Sequence, residues 1–306
     1  MDRPIVIFGG TGQIGRELRL QLGAWWPVLA PPRDEVNLAS PEEVTTYLRL
    51  TRPSLIVNAA AFADIDMAET DTAMAMLVNG QIPLMLAEEA CDRNIGLVHF
   101  STDLVFDGRR APDSAPYREA DAPNPLNMYG RSMLRGESAI SYADPPHLIF
   151  RTSRIFGLRG SNFLTDLISL SRAHKDINIV DDQIGSPTWS REVAIAVNSI
   201  LKDLDAPRSP VAMRERSGIY HLAAAGAVSW HGFAVLAWSQ SASSPYFDLA
   251  PDRQVVLRAI SSDSYPFRAS RPIYTALSSR LVADTFGIEL PTWQQQLENC
   301  LHTQPG

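Results

Sequence analysis

The chain has 306 residues, 45% of them hydrophobic and 20% charged, with a formal net charge of -7 at pH 7. That length and balance allow a large core, as one big domain or two closely joined ones. Net acidity argues against a nucleic-acid binder or a protein that adheres to anionic membranes, although local loops leave room for an anionic small ligand. The two cysteines, Cys91 and Cys300, lie outside any CxxC or Cys/His spacing, so neither a disulfide framework nor a zinc site is indicated and no metal is assigned. No charged leader precedes a long apolar run, and no segment reaches the ~18 apolar residues of a membrane span, which together point to the cytoplasm.

Pro4-Ile5-Val6-Ile7-Phe8 reads as a strand buried on both faces, and it flows into Gly9-Gly10-Thr11-Gly12-Gln13-Ile14-Gly15. A helix follows, with Ile14, Leu18 and Leu22 on one face. Gly10, Gly12 and Gly15 satisfy G-x-G-x-x-G; Gly9, Gly12 and Gly15 satisfy the related G-x-x-G-x-x-G. Such glycines permit a tight turn, the approach of a pyrophosphate and close helix packing, while the helix N-terminus faces negative charge. A bare turn would need glycine too, but the strand before and the helix after favour a bound dinucleotide. The second strand, residues 27–30, ends in Pro31-Pro32-Arg33-Asp34. At that place an acid accepts an adenosine 2'-hydroxyl and an arginine suits a 2'-phosphate; Arg33 comes first, which favours NADPH over NADH unless it is a solvated loop residue.

Ser40-Pro41-Glu42-Glu43 opens a helix with Ser40 as N-cap, Pro41 at its first position and Glu43 completing a capping box. Leu55-Ile56-Val57-Asn58 is the next buried strand and runs into Ala59, Ala60 and Ala61, whose small side chains leave room either for a ligand or for tight helix packing. A helix over Ile82 to Cys91 and a strand at Leu97-Val98-His99-Phe100 lead to Ser101-Thr102-Asp103. The alternation predicts an α/β fold with a Rossmann-type doubly wound parallel sheet. The stretch between Asp107 and Pro125, rich in proline and acid, reads as a long surface loop able to cover a site.

Asn127-Met128-Tyr129-Gly130-Arg131-Ser132-Met133 begins a helix that would carry a phenol into a reaction site. A tyrosine can donate a proton to a carbonyl being reduced if a cation stabilises the phenolate left behind. The usual partner is a lysine one turn later on the same face; here that place holds Met133. Arg131 and Arg135 do not share the face of Tyr129 closely. After the strand at His147-Leu148-Ile149-Phe150-Arg151-Thr152-Ser153 the alternation weakens, with short strands at Ile177-Asn178-Ile179-Val180, around Asp181 to Thr188 and at Gly218-Ile219-Tyr220-His221-Leu222. This divides the chain into an NAD(P)-binding domain over 1–155 and a smaller, mainly substrate-binding region over 156–306, with some segments returning to the first. His99 reads as a satisfied core residue and the six tryptophans as packing residues. His221 and His231 fall in the presumed substrate region without metal-ligand spacing. Pro291-Thr292-Trp293 opens a last amphipathic helix, a packing element and candidate dimer contact.

These residues, together with Val105-Phe106-Asp107-Gly108, Pro125-Leu126-Asn127, Gly136-Glu137, Asn162-Phe163, Asp182-Gln183-Ile184-Gly185-Ser186-Pro187-Thr188 and Arg271-Pro272, carry a resemblance that runs nearly end to end. The chain resembles the extended short-chain dehydrogenase/reductases and, within them, the dTDP-4-dehydrorhamnose reductase family. The resemblance implies NAD(P)H-dependent reduction of the 4-keto group of a nucleotide-linked deoxysugar, in a polysaccharide or glycosylated-metabolite pathway, by a homodimer. It implies that Gly9, Gly12, Gln13, Ile14 and Gly15 bind the pyrophosphate, Arg33 the adenosine end, and Ala59, Ala60 and Ala61 line the cofactor. Thr102 would hydrogen-bond the substrate carbonyl and Tyr129 would protonate it, with Asp103, Leu104, Arg154, Asn162, Gln183 and Thr188 facing the sugar nucleotide.

The departures are Met133 for the motif lysine, Met67 for a lysine in Asp66-Met67-Ala68-Glu69, Leu104 for a tyrosine and Arg154 for a tryptophan. The last two border the substrate in the family, so a different sugar is expected. Arg154 is the candidate replacement for the lost ammonium. The alternative is a catalytically impaired cofactor-binding protein serving as a regulatory or scaffolding subunit, the role that the beta subunit of methionine adenosyltransferase takes in the same family.

Overall fold

The computed structural model describes residues 3–111, 114–240 and 254–303. In chain order the first half comprises β1 (Ile5–Phe8), α1 (Gln13–Gly23), β2 (Val28–Leu29), α2 (Pro41–Thr51), β3 (Leu55–Asn58), α3 (Ile65–Thr70), α4 (Thr72–Met76), α5 (Ile82–Arg93), β4 (Gly96–Thr102), α6 (Met128–Ala143) and β5 (His147–Thr152). The second half comprises β6 (Ile155–Phe156), α7 (Phe163–Ala173), β7 (Asp176–Val180), β8 (Ile184–Gly185), β9 (Thr188–Trp189), α8 (Ser190–Asp203), α9 (Pro210–Glu215), β10 (Gly218–His221), β11 (Val228–Ser229), α10 (Trp230–Ser239), β12 (Val256–Ile260), α11 (Arg280–Phe286) and α12 (Trp293–His302).

Six strands form one sheet in the order β10-β5-β4-β3-β1-β2, and every pairing in it is parallel. β2 lies on one side of β1 and β3 on the other, with Ile5 opposite both Val28 and Leu55. The winding reverses between β1 and β3, and the crevice beyond their carboxyl ends is where ligands bind in such sheets. Alternation along β1 sorts its side chains between two cores. Ile5 and Ile7 pack with Leu18 and Leu22 of α1 and Val193, Val197, Ile200 and Leu201 of α8. Val6 and Phe8 pack with Val44 and Leu48 of α2, Leu86 and Ala90 of α5, and Ile140 of α6. So α8, from the second half of the chain, covers one face of a sheet built mostly by the first half.

β10 belongs to that sheet, parallel to β5 with Gly218 opposite Leu148 and His221 opposite Arg151, and not to the substrate region where its sequence position suggested. His221 is accordingly a buried sheet residue. The second expected strand contracts to Val28–Leu29 at the sheet edge. The remaining short strands pair among themselves: β7 with β12, β6 with β9, and β8 with β11. Beside them a separate apolar cluster joins Phe156, Leu164, Leu167, Trp189, Phe233, Trp293, Leu297 and Leu301. α12 starts with Thr292 as N-cap in a capping box with Gln295 and buries Trp293, Leu297, Cys300 and Leu301 into that cluster. Not every tryptophan is interior: Trp25 is exposed, with the Lys202 ammonium 3.2 Å from its ring centroid. Among the described residues no helix is long and apolar enough to cross a membrane.

Candidate active site

The glycine turn after β1 is built by close backbone approach. Gly9 has φ +78°, and a Cβ there would stand 2.5 Å from the amide nitrogen of Ala60. A Cβ on Gly15 would stand 2.2 Å from the carbonyl oxygen of Gly9, so α1 can press onto the turn only through glycine. The Gly12 amide donates to that same carbonyl at 2.9 Å. Gly12 caps α1 without a side chain, which leaves the amides of the first helical turn without intrahelical partners and aimed outward. Such a cradle suits a pyrophosphate. Gln13 donates from Nε2 to the Ser161 carbonyl at 3.1 Å, while its Oε1 is buried with no partner. The residues therefore fit a dinucleotide. The Ile14 side chain packs on the sheet core, so what it offers a cofactor is its backbone amide. Arg33 and Ala61 are exposed, while Ala59 and Ala60 are half-buried.

From Gln13 a cavity of about 850 Å³ runs past Thr102, Asp103, Leu104, Tyr129 and Arg154 to Asn162, Gln183 and Arg271. Tyr129 enters it from the first turn of α6, which three contacts fix. The Asn127 side chain caps the helix by accepting from the Gly130 amide at 2.8 Å and donates to the Ser270 carbonyl at 2.8 Å. Glu69 of α3 accepts the Met128 amide at 2.7 Å. A Cβ on Gly130 would stand 2.2 Å from the Leu104 carbonyl oxygen, so the helix lies directly on the turn that follows β4.

Tyr129, Met133 and Glu137 form one stripe along α6. Glu137 anchors its far end: the Arg151 guanidinium of β5 donates to it from Nε at 2.8 Å and Nη2 at 2.6 Å, and the Ser101 hydroxyl donates at 2.5 Å, all buried. Met133, in the middle, is also buried. Burial, and after it the neighbouring Asp103 carboxylate, pushes the Tyr129 phenol up to about 12, against a hydrogen bond with Thr102 that pulls it down. None of these influences is a cation.

Asp103 is buried and accepts from the Ser153 hydroxyl at 2.7 Å and the Thr102 hydroxyl at 3.3 Å. Burial raises its carboxyl despite these donors, Thr275 and the nearby Arg154. Arg154 does not take the lysine's place. It stands at φ +46°, donates from Nη1 to the Val228 carbonyl at 3.0 Å and lies 4.3 Å above the Trp230 ring. Burial lowers it to about 10, and the charge acting on it is Asp103.

Two residues expected at the substrate, Thr188 and Asn162, are placed differently. Thr188 is fully buried, donating to the Ser186 carbonyl at 2.9 Å and accepting the Ala224 amide at 3.0 Å, and it does not line the cavity. Asn162 lines the cavity but caps α7 through Oδ1 and holds the Gly157 carbonyl through Nδ2. Gln183 is buried, lines the cavity and leaves Nε2 without a partner. Arg271 went unassigned in the sequence. Its Nη2 pairs with Asp66 at 3.1 Å while Nη1 is buried without a partner at the cavity. Its position in Arg271-Pro272 was a signal, but the role depends on a contact across most of the chain. Trp230, expected only to pack, lines the cavity under Arg154.

A doubly wound parallel sheet, a glycine turn at the switch point and a tyrosine at the wall of the adjoining cavity define a dinucleotide-fold oxidoreductase architecture. The chain belongs to the family described as the RmlD substrate binding domain, whose model matches residues 3–304. It is 39% identical over 309 residues to a dTDP-4-dehydrorhamnose reductase of Burkholderia thailandensis, covering 97% of each chain. To the enzyme of that name from Sinorhizobium fredii it is 34% identical over 291 residues, covering 95% of this chain and 94% of the relative. Among solved structures, the dTDP-4-dehydrorhamnose reductase of Bacillus anthracis in complex with NADP superposes with a TM-score of 0.85 at 27% identity, covering 98% of this chain and 99% of that one.

Proposed function

We propose that the protein reduces the 4-keto group of a nucleotide-linked deoxysugar with NADPH, as a dTDP-4-dehydrorhamnose reductase does. The observation that carries this reading is that Tyr129 and Thr102 together line the wall of a cavity that begins at the glycine turn. The names of the relatives and the NADP bound in the Bacillus anthracis structure support the same cofactor and substrate class. NADPH, when bound, supplies the hydride.

The chain's own residues do the rest. The glycine turn and the N-terminus of α1 hold the pyrophosphate. Thr102 and Tyr129 meet the carbonyl oxygen, and Tyr129 passes it the phenolic proton. Its raised pKa keeps the phenol protonated at neutral pH, so the donor is always loaded, but the phenolate is costly without an ammonium at position 133. General acid catalysis contributes about 10²–10⁴-fold, and the positioning of reactants survives its impairment; the enzyme is therefore slow rather than inactive. Leu104 and Arg154 line the cavity where aromatic residues are the family habit, which favours a sugar other than dTDP-4-dehydrorhamnose. The same reading makes the protein a cytoplasmic homodimer, the subunit number being checked by sedimentation equilibrium. Loss of reduced-nicotinamide absorbance on mixing protein, NADPH and a fresh dTDP-4-keto-6-deoxysugar tests the activity. NADPH binding without consumption of any such sugar would favour the regulatory-subunit alternative, which the buried Met133 makes the competing reading.

A further inference from the structure

The cavity wall carries hydrogen-bond donors that no protein acceptor satisfies. Arg271 Nη1 and Gln183 Nε2 are buried without a partner, and both residues line the cavity. The Ile184 amide donates to the Ile273 carbonyl at 2.7 Å, so the two residues stand on adjoining stretches of chain. Asp66, the acid paired with Arg271, is already engaged: it holds Nη2 at 3.1 Å and accepts the Arg268 and Ala269 amides at 3.2 and 2.9 Å. An amide N–H₂ and a guanidinium can only donate, and a buried donor left unpaired is destabilising. The pair suits a ligand that brings anionic oxygens, as a diphosphate does.

A column of rings continues from Arg271. Its guanidinium carbon lies 4.9 Å from the centroid of the Phe267 ring, and Phe267 and Tyr265 stack with centroids 4.3 Å apart. All of these side chains line the cavity. Tyr265 is 45% exposed, and among the described residues Phe267 is the one ring stacked on it, so its second face is open. Trp230, by contrast, already carries the Arg154 guanidinium at 4.3 Å and the Phe163 ring at 4.5 Å. An open tyrosine face beside an anion-binding arginine suits a ligand with a planar ring next to its phosphates, and the nucleobase is that ring in a sugar nucleotide.

We propose that segment 265–271 is the arm that reads the nucleoside diphosphate, with Tyr265 as the platform for the base and Arg271, beside Gln183, as the donor to the diphosphate. The inference rests on the reductase reading above and adds the residues that recognise the nucleotide. The arm is fastened to the helix that carries Tyr129. Asn127, the N-cap of α6, donates to the Ser270 carbonyl at 2.8 Å. Asp66 belongs to α3, whose Glu69 accepts the Met128 amide at 2.7 Å. Pro272, just after the arm, packs on Gly108, where φ is +67° and a Cβ would stand 2.5 Å from the proline Cβ. A nucleotide held on this arm therefore sets the register of its sugar against Tyr129. Stacking reads the face of a base and not its edges, so the platform accepts thymine and uracil alike.

The test is isothermal titration of the protein saturated with NADP⁺, so that the cofactor's own phosphate site is filled, with dTDP, UDP and inorganic pyrophosphate as probes. The native protein should bind dTDP and UDP with similar affinity and pyrophosphate more weakly. Tyr265→Ala should weaken both nucleotides about 10-fold or more and leave pyrophosphate as it was. Tyr265→Phe, which keeps the ring, should bind them as the native protein does. Arg271→Met should weaken all the probes. Tyr265 is exposed, so its replacement leaves the fold intact, and unchanged NADP⁺ affinity verifies this. Native dTDP affinity in Tyr265→Ala, or an equal loss for pyrophosphate in that variant, overturns the platform; native affinities in Arg271→Met overturn the diphosphate contact. If the native protein binds NADP⁺ but neither dTDP nor UDP, the sugar-nucleotide reading itself fails and the arm falls with it, whereas dTDP binding that ignores Tyr265 and Arg271 sinks the arm alone.

Discussion

Replacing Glu137 by Gln should destabilise the protein severely, and the structure sets the size of the effect. Glu137 and Arg151 have side chains 1% and 3% exposed, so neither charge can be rescued by water. Gln preserves shape but directs an amide N–H₂ at a guanidinium and leaves Arg151 as a buried, uncompensated cation. Breaking such a pair from one side costs about 3–5 kcal/mol. For a chain of this size that lowers Tm by on the order of 10 °C, measured by calorimetry or circular dichroism. Removing both charges with Glu137→Leu and Arg151→Met should cost less than Glu137→Gln alone, because no buried charge is then orphaned. The exposed Arg258–Asp176 pair, at 60% and 58% side-chain exposure, serves as the control: its loss should cost under about 1 kcal/mol. Because Glu137 anchors the stripe that carries Tyr129, the single variant should also turn over more slowly below its Tm. A Glu137→Gln protein within about 1 kcal/mol of native would refute the reasoning, since the pair would then be screened in a way its burial does not allow.

Gly15→Ala should abolish NADPH binding, because its Cβ would stand 2.2 Å from the Gly9 carbonyl oxygen and must push the turn away from α1; isothermal titration with NADPH checks this, and a Kd within about threefold of native would contradict it. Stability should fall in mild acid through His99, whose Nδ1 bonds the Asn58 amide at 3.1 Å while its Nε2 is buried without a partner. Burial lowers this histidine to about 4 from an ordinary value of 6.5. Between those values the unfolded chain binds the extra proton, so stability is full above about pH 6.5 and is lost as pH falls toward 4, by on the order of 3 kcal/mol. His99→Gln should flatten that part of a denaturant-midpoint profile, and an unchanged slope would exclude His99 as its source.

The parts of the site that could be read from sequence are those fixed by local period and spacing. The strand–glycine–helix run of residues 5–23 declares itself because β1 is buried on both faces and the turn tolerates no Cβ at Gly9 or Gly15. The helix bearing Tyr129 begins where the stretch from Asn127 places it, with Met133 one turn on. What could not be read depends on contacts between distant segments. β10 joins the main sheet because β5 offers it an edge, not because its sequence differs from the short strands around it. The hydroxyl of Thr188 turns inward to Ser186 and Ala224, and no pattern around it distinguishes that from a ligand contact. Arg154 looked free to replace the lysine until Val228 and Trp230 were seen to hold it. His99 is buried as expected but only half satisfied, which depends on which side chains meet it across the sheet.

The departure at position 67 is easier to place. Asp66 accepts the Arg268 and Ala269 amides and pairs with Arg271, and Glu69 caps the α6 backbone at Met128, while Met67 between them is exposed. α3 thus ties the segment around Arg271 to the helix of Tyr129 through its two acids, and nothing in that arrangement requires a lysine at 67.

The central claim is that Tyr129 is a working but handicapped proton donor to a sugar-nucleotide ketone. Its most direct test is single-turnover oxidation of NADPH with a dTDP-4-keto-6-deoxysugar, comparing the native protein with Met133→Lys after both are shown to bind NADPH equally. The account predicts slow oxidation by the native protein and a clearly faster rate in the variant. Oxidation by neither protein, or a variant no faster than native, would contradict it.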